Sequence, residues 1–151
     1  MRERQVREQV KRKWKGAALV EFALVLPLLL LVTFVVTEYS RALYQYNILT
    51  KSVRDAARYL SSQNPGTKLA QAKNLVVYGN PAGSGAPLAI GLTTGQVPDP
   101  VWALAGTAPV INTVTIKITG YTFTPLFATV LGVNFGTITY ADISATMRAP
   151  L

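Results

Sequence analysis

The chain holds no cysteine and no histidine. The first absence excludes a disulfide framework, a thiol nucleophile and thiolate metal sites. The second excludes a His-based triad, and the two together exclude Cys/His zinc sites. Charge is scarce as well, at 15% of residues. Past the first fifteen residues the carboxylates are Glu21, Glu38, Asp55, Asp99 and Asp142, scattered without any paired spacing. General acid–base chemistry has little to work with in such a set. The chain is therefore expected not to be an enzyme and to need no metal or cofactor.

Basic charge is the exception, and it is local. Residues 1–15 carry Arg2, Arg4, Arg7, Lys11, Arg12, Lys13 and Lys15 against Glu3 and Glu8, a net +5 out of the chain's +8. Directly after them comes a long apolar stretch, AALVEFALVLPLLLLVTFVV. From Ala17 to Val36 it is broken only by Glu21, Pro27 and Thr33. About twenty apolar residues suffice for a helix to cross a bilayer, so the stretch reads as a membrane span. Positive residues beside a span stay on the cytoplasmic side. That places the N-terminus in the cytoplasm and everything after Val36 on the far side. The same rule accounts for the basic leader without nucleic acid, although an arm stacking Trp14 on bases would have a similar composition. The run is longer than a signal-peptide core, and no small-x-small cleavage site follows it in TFVVTEY. It is expected to remain as an anchor. Pro27 removes a backbone donor and crowds the Ala23 carbonyl, so a kink is expected there. Glu21 is the odd residue. A charge at the centre of a span costs roughly 2.5–3.5 kcal/mol, and less near the interface.

Helical periodicity continues beyond the span. In EYSRALYQYNILTKSVRDAARYL, from Glu38 to Leu60, apolar residues recur every three or four positions: Tyr39, Ala42/Leu43, Tyr46, Leu49, Val53, Ala56/Ala57 and Leu60. This is one stripe of an amphipathic helix, and with the span it predicts a single helix from about Ala17 to Ser61. Asn64-Pro65-Gly66 ends it. Thr67–Tyr78 reads as a short second helix, although LVVY alone could be a strand. Gly79–Pro100 is rich in turn formers and reads as a long loop, either contact-bearing or a solvated connector. The period then changes to two. Val114, Ile116 and Ile118 alternate with Thr113, Thr115, Lys117 and Thr119, which marks a half-buried strand. A second strand is expected over Thr137–Arg148, with a β-bulge at Ala141–Asp142 restoring its parity. The apolar connection Pro125–Gly136 between them is expected to pack on the sheet or on a partner.

The segment Gly16-Ala17-Ala18-Leu19-Val20-Glu21-Phe22, after a basic leader and ahead of EFALVLPLLLL, resembles a prepilin processing site of the tight-adherence (Tad, Flp) type. The longer run from Lys15 to Tyr59 resembles the TadE-like pseudopilins. The C-terminal strands, VTIKITGYTFTPLFATVLGVNFGTITYADISATMR, are similar to that family's with less specificity. The resemblance implies cleavage by a prepilin peptidase between Gly16 and Ala17. It also implies an assembly role for Glu21, with Phe22 beside it, through pairing with a neighbour's free N-terminal amine. Implied partners are the peptidase, other pilins or pseudopilins of the Tad system, the inner-membrane platform of the secretion machinery and the lipid bilayer. No nucleic acid is implied.

The expected architecture is α+β and pilin-like: a long N-terminal helix, half transmembrane and half amphipathic, packed on a small C-terminal head of antiparallel strands. The divisions are a leader over 1–16, a transmembrane helix over 17–37, a helix extension over 38–62 and an extracytoplasmic head over 63–151. The expected location is the bacterial cytoplasmic membrane, with incorporation into a surface pilus as a further step. Two other functions fit less of the sequence. One is a single-pass anchored protein whose head binds a ligand and has no filament role. The other is a membrane-tethered hydrolase built on Ser52, Lys51 and Tyr59, which lie close together on the predicted helix.

Overall fold

The computed structural model describes the backbone of residues 2–149 and the side chains of residues 16–149. The side chains of residues 1–15, including Trp14, lie outside the described residues. The first helix, α1, runs over Arg2–Leu60 and continues through Pro27 without a break in its assignment. It ends where Ser61 and Ser62 turn their hydroxyls onto the carbonyls of Arg58 and Tyr59, at 2.7 and 2.9 Å. These bonds satisfy last-turn acceptors that have no partner within the helix. A second helix, α2, covers Leu69–Tyr78 and is closed by Gly79 in the left-handed conformation. The strands are β1 (Val101–Ala105), β2 (Ile111–Ile118), β3 (Thr122–Phe123), β4 (Thr129–Val130), β5 (Val133–Asn134), β6 (Ile138–Thr139) and β7 (Ile143–Arg148). The chain is α+β.

Two compact units share this chain. One joins α1 up to Tyr39 with Leu126–Phe135, and the other holds Ser40–Pro125 together with the residues from Gly136 onward. In the larger unit an antiparallel sheet of order β1-β2-β7 forms the floor of the core. Alternation decides its faces. Val114, Ile116 and Ile118 of β2 are fully buried, while Lys117 points outward. Above the sheet lie Leu49, Val53, Ala56, Ala57 and Leu60 of α1, spaced three or four apart, with Ala72, Val76 and Val77 of α2. Each of the leucine, valine and isoleucine side chains among them contributes on the order of 1.5–3 kcal/mol by leaving water. The core stripe of α1 is shorter than its periodicity implies. It begins at Ala42, whereas Tyr39, Leu43 and Tyr46 are exposed.

One open alternative is settled and one expectation changes. The loop after α2 is no solvated connector: Ala89, Leu92 and Val97 are buried in the core, and Leu88 N–H donates to the Val77 carbonyl at 2.7 Å. The expected strand over Thr137–Arg148 is two strands in separate sheets. β6 pairs with β3, and β7 pairs with β2. The parity change at Ala141–Asp142 is thus a passage between partners rather than a bulge, and Ile138 remains 40% exposed. β1 was not evident from its sequence, since VWALA alternates poorly. It pairs with β2 from Val101↔Thr115 to Ala105↔Ile111 and forms one edge of the sheet. The turn out of β1 depends on Gly106, at φ 86°, where an added Cβ would stand 2.7 Å from the Pro109 carbonyl oxygen. Only glycine combines that dihedral with that approach.

Candidate assembly site on the membrane helix

Within α1, Gly16–Leu60 is long and apolar enough to cross a membrane. Gly16 lies inside the helix with nothing within 4 Å of the place a Cβ would occupy. Ala17 and Glu21 are exposed, and so are the neighbouring Leu19, Val20 and Phe22. This part of the helix therefore presents apolar side chains all around, with one carboxylate among them. A helix of that kind is stable only in lipid or against other helices. Pro27 lies one and a half turns further along.

At the other end of the apolar run the structure builds a second feature. Glu38 is buried, at 5% exposure, and the Leu126 N–H donates to both of its carboxylate oxygens at 3.2 Å each. One turn earlier, Phe34 meets Phe127 edge to face, with ring centroids 5.1 Å apart. Leu31, Phe34 and Glu38 follow i, i+3, i+7 spacing, and all three are more shielded than Val32, Val35 and Val36 around them. From Leu126 the chain enters a hairpin, β4 against β5, closed by a two-residue turn at Leu131-Gly132.

Residues 16–58 match the family model described as TadE-like protein. Over those residues the chain is similar to TadE-like proteins. That match covers the apolar run and most of the core stripe of α1, and it suggests a protein associated with the Tad pilus. No curated protein and no solved structure matches the chain. Among the described residues α1 is the one helix long and apolar enough to serve as a single-pass membrane anchor.

Of the residues singled out by sequence, Gly16, Ala17, Glu21 and Phe22 stand together on the first two turns of the TadE-like segment. Pro27 stands apart from them. Glu38 and Phe34 carry the contacts at the far end, and sequence reasoning missed them; the apolar run over 125–136, expected to pack on the sheet or on a partner, brings Leu126 and Phe127 onto α1 instead. Glu38 is separated from Leu126 by 88 residues, so no local pattern could join them. The signal that was available is the uncharged run from Leu126 to Phe135, too apolar for an ordinary connection.

The hydrolase reading finds no geometry. Ser52 is buried and its hydroxyl donates to the Leu49 carbonyl at 2.9 Å, while Lys51 is exposed. An open cleft of about 460 Å³ on the head is lined by Lys51, Arg54 and Arg58, with Asp55 and Met147 beside them. It has basic groups but no nucleophile paired with a base. Among the described residues no three His, Cys, Asp or Glu side chains come together.

Proposed function

We propose that this TadE-like protein is a minor pilin or pseudopilin of a Tad-type pilus. It is cut between Gly16 and Ala17 by a prepilin peptidase and held in the cytoplasmic membrane by residues 17–37. Its N-terminus faces the cytoplasm and its head lies outside. The observation that supports this reading best is the coincidence of the TadE-like match, which begins at Gly16, with an exposed Glu21 in an otherwise uncharged anchor. Glycine inside a helix costs about 1 kcal/mol relative to alanine. The scissile position is therefore also the easiest place in the leader-proximal helix to open for a peptidase.

Cleavage creates a free α-amine on Ala17 whose reference pKa is near 8, so it is largely cationic at neutral pH. Glu21 of an adjacent, axially shifted subunit supplies the matching charge. Both charges are costly alone in a low-dielectric setting, and each relieves the other. The plainer role, an acidic group favouring the helix dipole, acts only within the first turn. In the uncut chain Glu21 lies far inside α1, so the dipole gives it no role there.

Intact-mass measurement of the protein from its native membrane tests the processing. The expected species begins at Ala17, and Gly16→Val is expected to keep residues 1–16. A native protein that retains its leader overturns the assignment. Glu21→Val tests the pairing: insertion and cleavage stay normal while crosslinks to partner pilins are lost. Crosslinks at wild-type yield would remove Glu21 from assembly.

A further inference from the structure

We propose that the Leu126–Phe135 hairpin is a second membrane contact, lying in the lipid interface on the head side of the anchor. The reading rests on the single-pass anchor and on nothing about pilus assembly.

Three observations carry it. The first is direction. Leu126 is held at the level of Glu38, and the next residue, Phe127, is already at the level of Phe34. Four helical residues span about 6 Å, more than the roughly 3.8 Å between consecutive Cα atoms, so the Phe127 side chain is directed toward the span as the chain enters the hairpin. Shielding of the same helix face continues to Leu31, about 10 Å below Glu38. Phe34 and Leu31 belong to the apolar run that must itself sit in lipid.

The second is composition and exposure. LFATVLGVNF contains no charged residue. Leu126 and Leu131 are 67% and 62% exposed, and Phe127 and Val133 are also exposed. They add to the uncovered Val32, Val35 and Val36 of the anchor. Bilayer is the one surrounding already required by that anchor, and it covers both sets at once.

The third is the turn. Leu131 and Gly132 both have positive φ, 50° and 82°, as the two central residues of a type I′ turn do. Asparagine or aspartate normally fills the first of these positions, and a bulky residue there is strained. A leucine at a strained and exposed tip has no packing reason within the chain. It has one if the tip meets acyl chains.

Depth is bounded by the same physics. Unpaired strand edges are not tolerated in dry hydrocarbon, and the hairpin has two, with Thr129 and Asn134 paired at its base. It therefore belongs at the boundary of headgroups and acyl chains, where amphipathic segments bury their apolar side and keep water on the other.

The chain has no cysteine, so single-site labelling is direct. Leu131→Cys and Val133→Cys each carry an environment-sensitive fluorophore on the full chain in phosphatidylcholine–phosphatidylglycerol vesicles. Leu24→Cys, inside the anchor, is the lipid reference, and the free cysteine adduct of the label is the water reference. Both hairpin labels are expected to be quenched by shallow nitroxide lipids several-fold more than by aqueous iodide, each relative to the water reference. Hairpin labels quenched by iodide as freely as the free adduct overturn the proposal. So does shielding from iodide that disappears at fewer than one chain per vesicle, because a second copy would then be the cover. If the Leu24 label itself is not quenched by nitroxide lipid, the anchor fails; if only the hairpin labels stay in water, the proposal alone fails.

Discussion

Two tyrosines show how single polar atoms set the head's stability. The Tyr121 hydroxyl lies 2.9 Å from both Gln45 Oε1 and the Ile90 carbonyl oxygen, and the Tyr140 hydroxyl donates to the Ala42 carbonyl at 2.6 Å. Burial raises the Tyr121 pKa above its ordinary value near 10. Burial, followed by the charge of Tyr121, raises that of Tyr140. The folded head thus holds phenolic protons that the unfolded chain would release. The stabilisation is complete below the unfolded value near 10 and is lost as pH rises through it toward the folded values. Thermal melts of the full chain in detergent should be flat up to about pH 9 and fall above about pH 10. Tyr121→Phe should cost about 1–3 kcal/mol at neutral pH by stranding its acceptors, and it should shrink the alkaline loss. An alkaline limb unchanged in that variant would contradict the assignment. Neither tyrosine's role was legible in the sequence, where each was one aromatic in a strand-like tail. The fully buried Val53, by contrast, was legible from spacing alone.

At the scale of elements, the sequence was most informative where one period ran unbroken. The α1 stripe from Leu49 to Leu60, the helix Leu69–Tyr78 and the parity of β2 all follow from local alternation or three-to-four spacing. It was least informative where pairing is distant. β6 and β7 read as one strand because their partners, β3 and β2, are set by tertiary contacts. The hairpin Leu126–Phe135 read as a connection because its anchor, Glu38, lies on another element. Glu38 is the element-scale prediction. Hydrogen bonds to a charged group are worth roughly 1.5–3 kcal/mol, which converts to about 10–100-fold in a local opening equilibrium. Amide exchange at Leu126 should therefore accelerate by that factor in Glu38→Ala, while amides of β2 keep their protection. Unchanged exchange at Leu126 would mean that something other than Glu38 holds the hairpin.

For the whole molecule, the division of labour follows the distribution of charge. Residues 1–15 concentrate the basic residues, the apolar run carries one carboxylate, and the strand-bearing part of the chain folds without covalent staples. A head of this size has a limited core, so its sheet stops at three strands and leaves β1 as an edge. That edge reads Val-Trp-Ala-Leu-Ala, with no charge and no proline. Val101 and Leu104 are 62% and 70% exposed. Natural proteins usually blunt such edges with lysine, proline or a bulge, because an open strand is a template for another chain's strand. A bilayer tether on the apolar helix would present this edge to other copies in restricted orientations only. Concentrated in detergent, which keeps the apolar helix covered, the protein should form sheet-linked aggregates, and Leu104→Lys should suppress them without lowering the melting temperature. Light scattering of the two proteins at equal concentration in the same detergent checks this, and equal aggregation would clear the edge. The practical corollary is that this molecule's solubility is a property of where it is kept as much as of how it folds.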